Sequence, residues 1–188
     1  MTEELLEPYL RKLRICKIIK YIPENCILCD IGCGFNARFL QDVSHCISKG
    51  YGFDKKIEDK SIGNIYIKNA NVADHIPLEE ETIDCVTLLA VLEHLSDSKK
   101  VLFECHRILK SGGVLILTTP SPISKPLLEF LSFRLGIVSS TEIADHKHYY
   151  SRKELQDLLI GTGFNGIKCN SFEFGLNNMA IAFKSGNR

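Results

Sequence analysis

A glycine-rich turn between two apolar segments constrains the fold of this chain more than any other feature. Residues 27–31 are mostly apolar and lead into Gly32-Cys33-Gly34-Phe35-Asn36-Ala37. Asp54 follows at the end of a second apolar stretch, Tyr51-Gly52-Phe53. This layout is typical of a nucleoside-binding βαβ unit, in which glycines let the backbone approach a ligand and the second acid accepts ribose hydroxyls.

The residue before the turn discriminates between two nucleoside ligands. Gly32 to Ala37 satisfies the dinucleotide pattern G-x-G-x-x-G/A, so an NAD-dependent oxidoreductase is one interpretation. Asp30, however, precedes Gly32 by two residues, and its carboxylate would repel an anionic pyrophosphate. S-adenosylmethionine carries an ammonium and a sulfonium and no phosphate. Asp30 therefore favours S-adenosylmethionine over NAD.

Further segments follow the glycine turn in a recognisable order. They are Gly52-Phe53-Asp54, Ile76-Pro77-Leu78, Glu81-Thr82-Ile83-Asp84-Cys85-Val86, Val91-Leu92-Glu93-His94-Leu95, Arg107-Ile108-Leu109-Lys110-Ser111-Gly112-Gly113-Val114-Leu115, His148-Tyr149-Tyr150-Ser151, Glu154-Leu155 and Gly163-Phe164. With Asp30-Ile31-Gly32-Cys33-Gly34 they resemble the class I S-adenosylmethionine-dependent methyltransferases, in particular the small-molecule, type 11 branch with a ubiquinone/menaquinone-methyltransferase-like domain. One departure is Asn36, which stands where the family usually has a third glycine. That position often needs a left-handed or tight backbone, which Asn tolerates, so we expect cofactor binding to survive.

Hydrophobic periodicity predicts alternating strands and helices, and hence an α/β fold. We expect a Rossmann-like, doubly wound, mostly parallel sheet of seven strands, with helices on both faces and a final antiparallel hairpin at Gly175-Leu176. Ser96 is the predicted cap of the helix after the fourth strand, and Gly112-Gly113 its predicted end. Ser151 and Glu154 form a predicted capping box. Residues 1–188 are predicted to be one domain, with an N-terminal helix within residues 1–22.

The candidate cofactor residues fall at or just past predicted strand ends, where open α/β sheets bind ligands. They are Asp30, Gly32, Gly34, Asp54, Asn71, Val72, Leu89 and Glu93. Asp54 is expected to accept both ribose hydroxyls, although a turn-capping role is the alternative. The resemblance implies that the loop with Asn71 and Val72 contacts adenine and that Leu89 flanks the methionine portion.

Three histidines are candidate catalytic residues, because histidine changes charge near neutral pH. His94 follows the fourth predicted strand, and the resemblance places His146 and His148 beside the acceptor. Each is open to a second interpretation, as a surface, packing or capping residue. Methyl transfer needs a base only if the acceptor must lose a proton.

Residues 120–150 form the variable part of the sequence, and we expect a lid over the acceptor site. The apolar run at residues 127–135 favours a hydrophobic or amphipathic acceptor, such as a quinone-type or lipid-linked molecule, although core packing or a dimer contact would explain it equally. Thr118-Thr119-Pro120-Ser121 stands where base-methylating enzymes have Asn-Pro-Pro-aromatic. Oxygen or carbon methylation is therefore expected.

Composition narrows the partners and the compartment. The chain has 23 Lys and Arg residues and 23 Asp and Glu residues. This balance of charge argues against nucleic acid as a partner, because phosphate binding usually requires an excess of positive charge. The spacing of the 8 cysteines completes no zinc set, so Cys26, Cys29 and Cys33 are interpreted as buried apolar residues, and no metal is expected. Free cysteines and the lack of a basic leader or membrane-spanning run predict a cytoplasmic enzyme. We expect a monomer or homodimer, with at most a membrane-surface or lipid-like substrate contact. A non-catalytic binding module with the same fold is the remaining alternative.

Overall fold

The computed structural model describes residues 7–55, 57–73, 75–126 and 146–186, with the backbone alone for residues 7–11. Its strands are β1 (Cys26–Ile31), β2 (Ile47–Asp54), β3 (Lys60–Ile62), β4 (Ile65–Asn69), β5 (Ile83–Leu89), β6 (Leu109–Pro120), β7 (Phe164–Phe172) and β8 (Asn177–Lys184). Its α-helices are α1 (Glu7–Ile18), α2 (Arg38–Val43), α3 (Ser98–Ile108) and α4 (Arg152–Gly161), and short 3-10 turns span Ile19–Tyr21, Leu92–His94 and Glu173–Gly175.

The strands form one sheet in the order β3-β4-β2-β1-β5-β6-β8-β7. The pairs β1–β2, β1–β5, β2–β4 and β5–β6 are parallel, and β7 and β8 form the expected antiparallel hairpin. The chain order reverses between β1 and β5, which places the ligand crevice of such folds at the carboxyl ends of these two strands. The doubly wound architecture predicted from the sequence is confirmed.

The sheet has one strand more than the seven expected. The extra strand is β3, which pairs antiparallel with the edge strand β4. Its residues are exposed or half-buried and carry no alternating apolar pattern, so nothing in the sequence distinguished them from a loop.

Helices cover both faces of the sheet, as the alternation of elements predicted. Helices α3 and α4 pack in one buried cluster, through Leu102 and Leu155 among others. Helices α1 and α2 pack in a second cluster, through Ile18 and Leu40. Successive residues of β1 point into alternate clusters, so both faces of this central strand are buried.

Helix α3 begins later than predicted. Its N-cap is Asp97, whose carboxylate accepts a hydrogen bond from the backbone N–H of Lys100 at 3.0 Å. The expected cap, Ser96, therefore lies one residue outside the helix. Both residue types cap helices well, and the choice depends on how the preceding turn leaves β5.

The glycine pair after α3 lies inside a strand. Helix α3 ends at Ile108 and β6 starts at Leu109, so Gly112 and Gly113 do not terminate the helix as predicted. The β5–β6 register shifts between Ile83 and Cys85, which marks an irregularity beside these glycines.

The capping box of α4 is confirmed. The Ser151 hydroxyl accepts a hydrogen bond from the Glu154 backbone N–H at 3.2 Å, and the Glu154 carboxylate accepts one from the Ser151 N–H at 2.7 Å. Most of the predicted lid, residues 127–145, lies outside the described residues. Within the described ranges, no helix has both the length and the apolar character needed to cross a membrane.

Candidate functional site

The glycine turn after β1 is tied to the end of β2. The N–H of Gly32 donates to the Phe53 carbonyl at 2.8 Å. Gly32 has a φ of +72°, and a Cβ at this position would lie 2.4 Å from Cγ2 of Val91. Gly34 has a φ of +68° but open space beside it. The first glycine is thus required by both conformation and packing, whereas the second leaves room for a ligand.

Asp54 holds the same turn from the end of β2. Its Oδ2 atom accepts a hydrogen bond from the N–H of Gly34 at 3.0 Å. The two residues stand twenty positions apart in the chain, and this hydrogen bond agrees with the turn-capping role that was the alternative to ribose binding. Asp54 is half-buried, so its carboxylate lies beside the turn at the carboxyl edge of the sheet.

Asp30 is a buried carboxyl group at the floor of the site, with 3 % of its surface exposed. The hydroxyl of Thr87, on β5, donates to its Oδ1 atom at 2.6 Å. Burial raises the pKa of Asp30 to about 7, and the negative charge of Asp54 adds to the rise. A cation placed beside Asp30 would stabilise its ionised form.

A cavity of about 290 Å³ opens above the turn. Four of the predicted cofactor residues line it, namely Asp30, Gly32, Gly34 and Leu89. Arg14, from α1, also lines it, although this residue belongs to none of the sequence motifs. The cavity is therefore lined by both a carboxyl group and a guanidinium group.

The other four predicted cofactor residues do not line this cavity: Asp54, Asn71, Val72 and Glu93. Asp54 and Asn71 lie at neighbouring strand ends, since Asp54 pairs with Asn69 in the β2–β4 register. Asn71 is exposed, and Val72 is half-buried against the core. Their proposed contacts with ribose and adenine would lie beyond the cavity, along the same edge.

The strained backbone of the turn is at Ala37 and not at Asn36. Ala37 has a φ of +43°, whereas Asn36 is not among the described residues with a positive φ. The left-handed option expected for Asn36 is therefore wrong, because the left-handed residue is the N-cap of α2, one position later. Ala90, directly after β5, also has a positive φ of +58°. Strain at non-glycine residues of this kind is common at ligand sites.

A second polar group of residues lies past the end of β5. Glu93, His94 and His146 bring one ligand atom each to within 4.8 Å of one another. The rings of His94 and His146 have centroids 4.8 Å apart. The N–H of Lys147 donates to the Glu93 carbonyl at 2.8 Å, which holds the histidine segment against the Leu92–His94 turn.

His148 lies apart from the other two candidate histidines. Its Nε2 atom is 3.3 Å from Oε1 of Glu154, the capping-box residue of α4, and half of its side chain is exposed. Its ring also packs edge-on against Tyr150, with centroids 4.4 Å apart. This geometry favours the interpretation of His148 as a residue at the start of α4.

The cysteines near the turn are buried, as predicted. Cys26, Cys29 and Cys33 are 3 %, 0 % and 9 % exposed, and all are free. Burial raises the pKa of the Cys26 thiol to about 11 and raises that of the Cys33 thiol as well. Thiols in this state are protonated at neutral pH and are poor nucleophiles.

A methyltransferase-domain family model matches residues 5–168 of the chain. Among curated proteins, the ubiquinone/menaquinone biosynthesis C-methyltransferase UbiE of Marinomonas sp. (strain MWYL1) is 34 % identical over 93 residues, which cover 50 % of this chain and 35 % of the relative. The protein of the same name from Blochmanniella pennsylvanica is 28 % identical over 145 residues, 69 % of this chain and 57 % of the relative. The chain thus spans less than two thirds of the length of these relatives.

Solved structures share the fold. A SAM-dependent methyltransferase from Archaeoglobus fulgidus superposes with a TM-score of 0.71 at 18 % identity, covering 94 % of each chain. The phosphoethanolamine N-methyltransferase 2 of Haemonchus contortus, in complex with phosphomonomethylethanolamine and S-adenosylhomocysteine, gives a TM-score of 0.68 at 15 % identity, over 94 % of this chain and 53 % of that one. At these identities the likeness concerns the fold.

Proposed function

Since the chain belongs to the methyltransferase-domain family of class I S-adenosylmethionine-dependent methyltransferases, we propose that it transfers a methyl group from S-adenosylmethionine to a small-molecule acceptor. The observation that carries this proposal is the cavity at the carboxyl ends of β1 and β5, with a buried Asp30 on one wall. A buried carboxyl group that has no paired cation among the described residues suits a ligand that brings positive charge.

Each charged part of the cofactor has a complementary group in the site. Asp30 would balance the ammonium and the sulfonium, and the guanidinium of Arg14 would pair with the methionine carboxylate. Asp54 would accept the ribose hydroxyls while its other oxygen holds Gly34. Asn71 and Val72 would flank adenine, and Leu89 the methionine chain.

The chemistry itself needs little from the protein. The acceptor attacks the methyl carbon, the carbon–sulfur bond breaks, and S-adenosylhomocysteine leaves with the electron pair on sulfur. The protein supplies placement, which contributes roughly 7–11 kcal/mol in model reactions. Where the acceptor must lose a proton, His94 and His146 rank ahead of His148 as bases as long as neither imidazole binds a metal ion, because Glu154 already pairs with His148.

We propose a hydrophobic or amphipathic acceptor that is methylated on carbon or oxygen. The curated relatives are named as C-methyltransferases of ubiquinone and menaquinone biosynthesis, which supports carbon methylation of a quinone-type ring. The apolar run at residues 127–135 supports the same class of acceptor from the sequence.

An NAD-dependent oxidoreductase is the less favoured function. Asp30 would face an anionic pyrophosphate in that case, inside a buried site where repulsion is weakly screened. A binding module without catalysis would leave the acceptor region as a partner surface. Both alternatives predict a different response to cofactor.

The first experiment is a thermal-shift titration with S-adenosylhomocysteine, with NAD in parallel. S-adenosylhomocysteine is expected to raise the melting temperature in a dose-dependent way. At a concentration one hundred times Kd, binding raises the free energy of unfolding by about 2.7 kcal/mol. Asp54→Ala should abolish most of that shift, because the ribose loses its acceptor. Asp157→Ala, on the exposed side of α4, is the matched control and should leave the shift unchanged.

The same titration can overturn the proposal. A shift with NAD alone would assign the site to an oxidoreductase, and no shift with either ligand would favour the binding module. An undiminished shift in Asp54→Ala would remove the ribose assignment while leaving the cofactor in place.

A further inference from the structure

We propose that Glu93, His94 and His146 form a binding site for one divalent transition-metal ion of the Zn²⁺ type. The three residues supply one carboxylate and two imidazoles from two separate segments of the chain. This site is distinct from the cavity that we assign to S-adenosylmethionine, since none of the three residues lines it.

The spacing of the donor atoms fits a shared ion. One ligand atom from each residue lies within 4.8 Å of the other two. Ligands at about 2.1 Å from a tetrahedral zinc are roughly 3–4 Å from each other, so side-chain shifts of about 1 Å bring the three atoms onto one ion.

The backbone already holds the two segments together. Glu93 and His94 share the Leu92–His94 turn that follows β5, so their relative position is fixed locally. The N–H groups of Lys147 and His148 donate to the Glu93 carbonyl at 2.8 and 3.4 Å. Main-chain hydrogen bonds therefore hold His146 near the turn, and these bonds do not involve its imidazole ring.

Glu93 gives the strongest reason to expect a cation. Its side chain is 1 % exposed, and its Oε2 atom has no hydrogen-bond partner among the described residues. A metal ion would balance the buried carboxylate, which native proteins otherwise pair.

His146 contacts the hydroxyl of Tyr149. Its Nδ1 atom lies 3.0 Å from the hydroxyl of Tyr149, and their rings pack edge-on. A contact of this kind to one ring nitrogen fixes the orientation of many metal-binding histidines. Arg14 is a cation that would compete with the metal ion for the Glu93 carboxylate.

The donor set selects the class of metal. Two imidazoles and one carboxylate suit Zn²⁺ and its neighbours in the transition series, whereas Mg²⁺ and Ca²⁺ prefer oxygen ligands alone. Three protein ligands leave a fourth position for water or for an oxygen of a bound molecule.

The test is calorimetric titration of the chelator-treated protein with ZnCl₂, and separately with MgCl₂. We expect one Zn²⁺ per chain and at least tenfold weaker binding of Mg²⁺. A Cys16→Ser background removes the exposed thiol, which would otherwise bind zinc. In that background, His146→Ala should weaken Zn²⁺ binding more than about tenfold, and Tyr149→Phe by a smaller factor. His45→Ala, at an exposed histidine elsewhere, should not change it.

Cobalt identifies the ligands directly. Co²⁺ in a site of two imidazoles and a carboxylate gives visible d–d bands without the near-ultraviolet charge-transfer bands of a cobalt–thiolate bond. Thiolate bands, or an affinity unchanged by His146→Ala, would overturn the proposal. Circular dichroism verifies that each variant is folded. The titration contains neither cofactor nor acceptor, so its failure would leave the proposed methyl transfer untouched.

Discussion

Asp30 links the stability of the fold to ligand charge at the scale of a single residue. Its carboxyl group is buried, and burial together with the charge of Asp54 raises its pKa to about 7 from an ordinary value of 3.8. The folded state therefore holds the Asp30 proton more tightly than the unfolded state. Protonated Asp30 makes its full contribution to the free energy of unfolding below pH 3.8. That contribution decreases as the pH rises and is lost once the pH passes about 7.

Asp30→Asn should accordingly stabilise the unliganded protein at high pH. The amide carries no charge and its oxygen can still accept the Thr87 hydroxyl. We expect the free energy of unfolding to rise by about 1–4 kcal/mol at pH 8 and by much less at pH 4.5. Urea denaturation at both pH values measures this, with the exposed Asp157→Asn as control. An equal effect at both pH values would contradict the buried-charge explanation.

Helix α4 shows how a local motif fixes an element. The reciprocal bonds between Ser151 and Glu154 satisfy two groups that the start of a helix leaves unpaired. These bonds lower the pKa of Glu154, with a smaller contribution from His148. The start of α4 is thereby set next to Tyr150, whose hydroxyl lies 2.7 Å from that of Ser98 on α3.

Ser151→Ala should destabilise the protein by about 1 kcal/mol, because the N–H of Glu154 loses its acceptor. Urea denaturation followed by circular dichroism gives this value. Lys153→Ala lies in the same first turn, on an exposed side chain outside the capping box, and should change stability by less than about 0.5 kcal/mol. Equal losses in the two variants would mean that the capping box contributes nothing.

The whole molecule is organised by one continuous sheet with a buried cluster on each face. Leu88 belongs to the cluster with α3 and α4, and Ile116 to the cluster with α1 and α2, and both are 0 % exposed. The two residues lie on the adjacent, paired strands β5 and β6. Both clusters pack against the same sheet, so disruption of the sheet would disrupt both of them. We therefore expect the two clusters to unfold together in one cooperative transition.

Leu88→Ala and Ile116→Ala test that expectation from opposite faces. Each substitution should cost about 2–5 kcal/mol through lost burial and the cavity that remains. Denaturation monitored by circular dichroism and by tyrosine fluorescence should show one coincident transition in both variants. Separate transitions for the two probes would contradict the prediction of a single domain.

The sequence was most informative where the determining interactions are local. The strand–glycine turn–strand unit with Asp30 and Asp54, the capping box of α4 and the final hairpin follow from short patterns whose partners lie close in the chain or in a fixed spacing. The assignment to the class I methyltransferases rests on such patterns in order, and the family match confirms it.

Only the tertiary structure decided what long-range packing brings together. His146 stands beside His94 although 52 residues separate them, and Arg14 reaches the cavity from α1. The edge strand β3 and the left-handed Ala37 depend on neighbours that no local pattern specifies. The raised pKa of Asp30 belongs to the same class, because a carboxyl group acquires it from burial by the assembled sheet. Local periodicity therefore determined the elements and their order, whereas side-chain environment was set by the folded core.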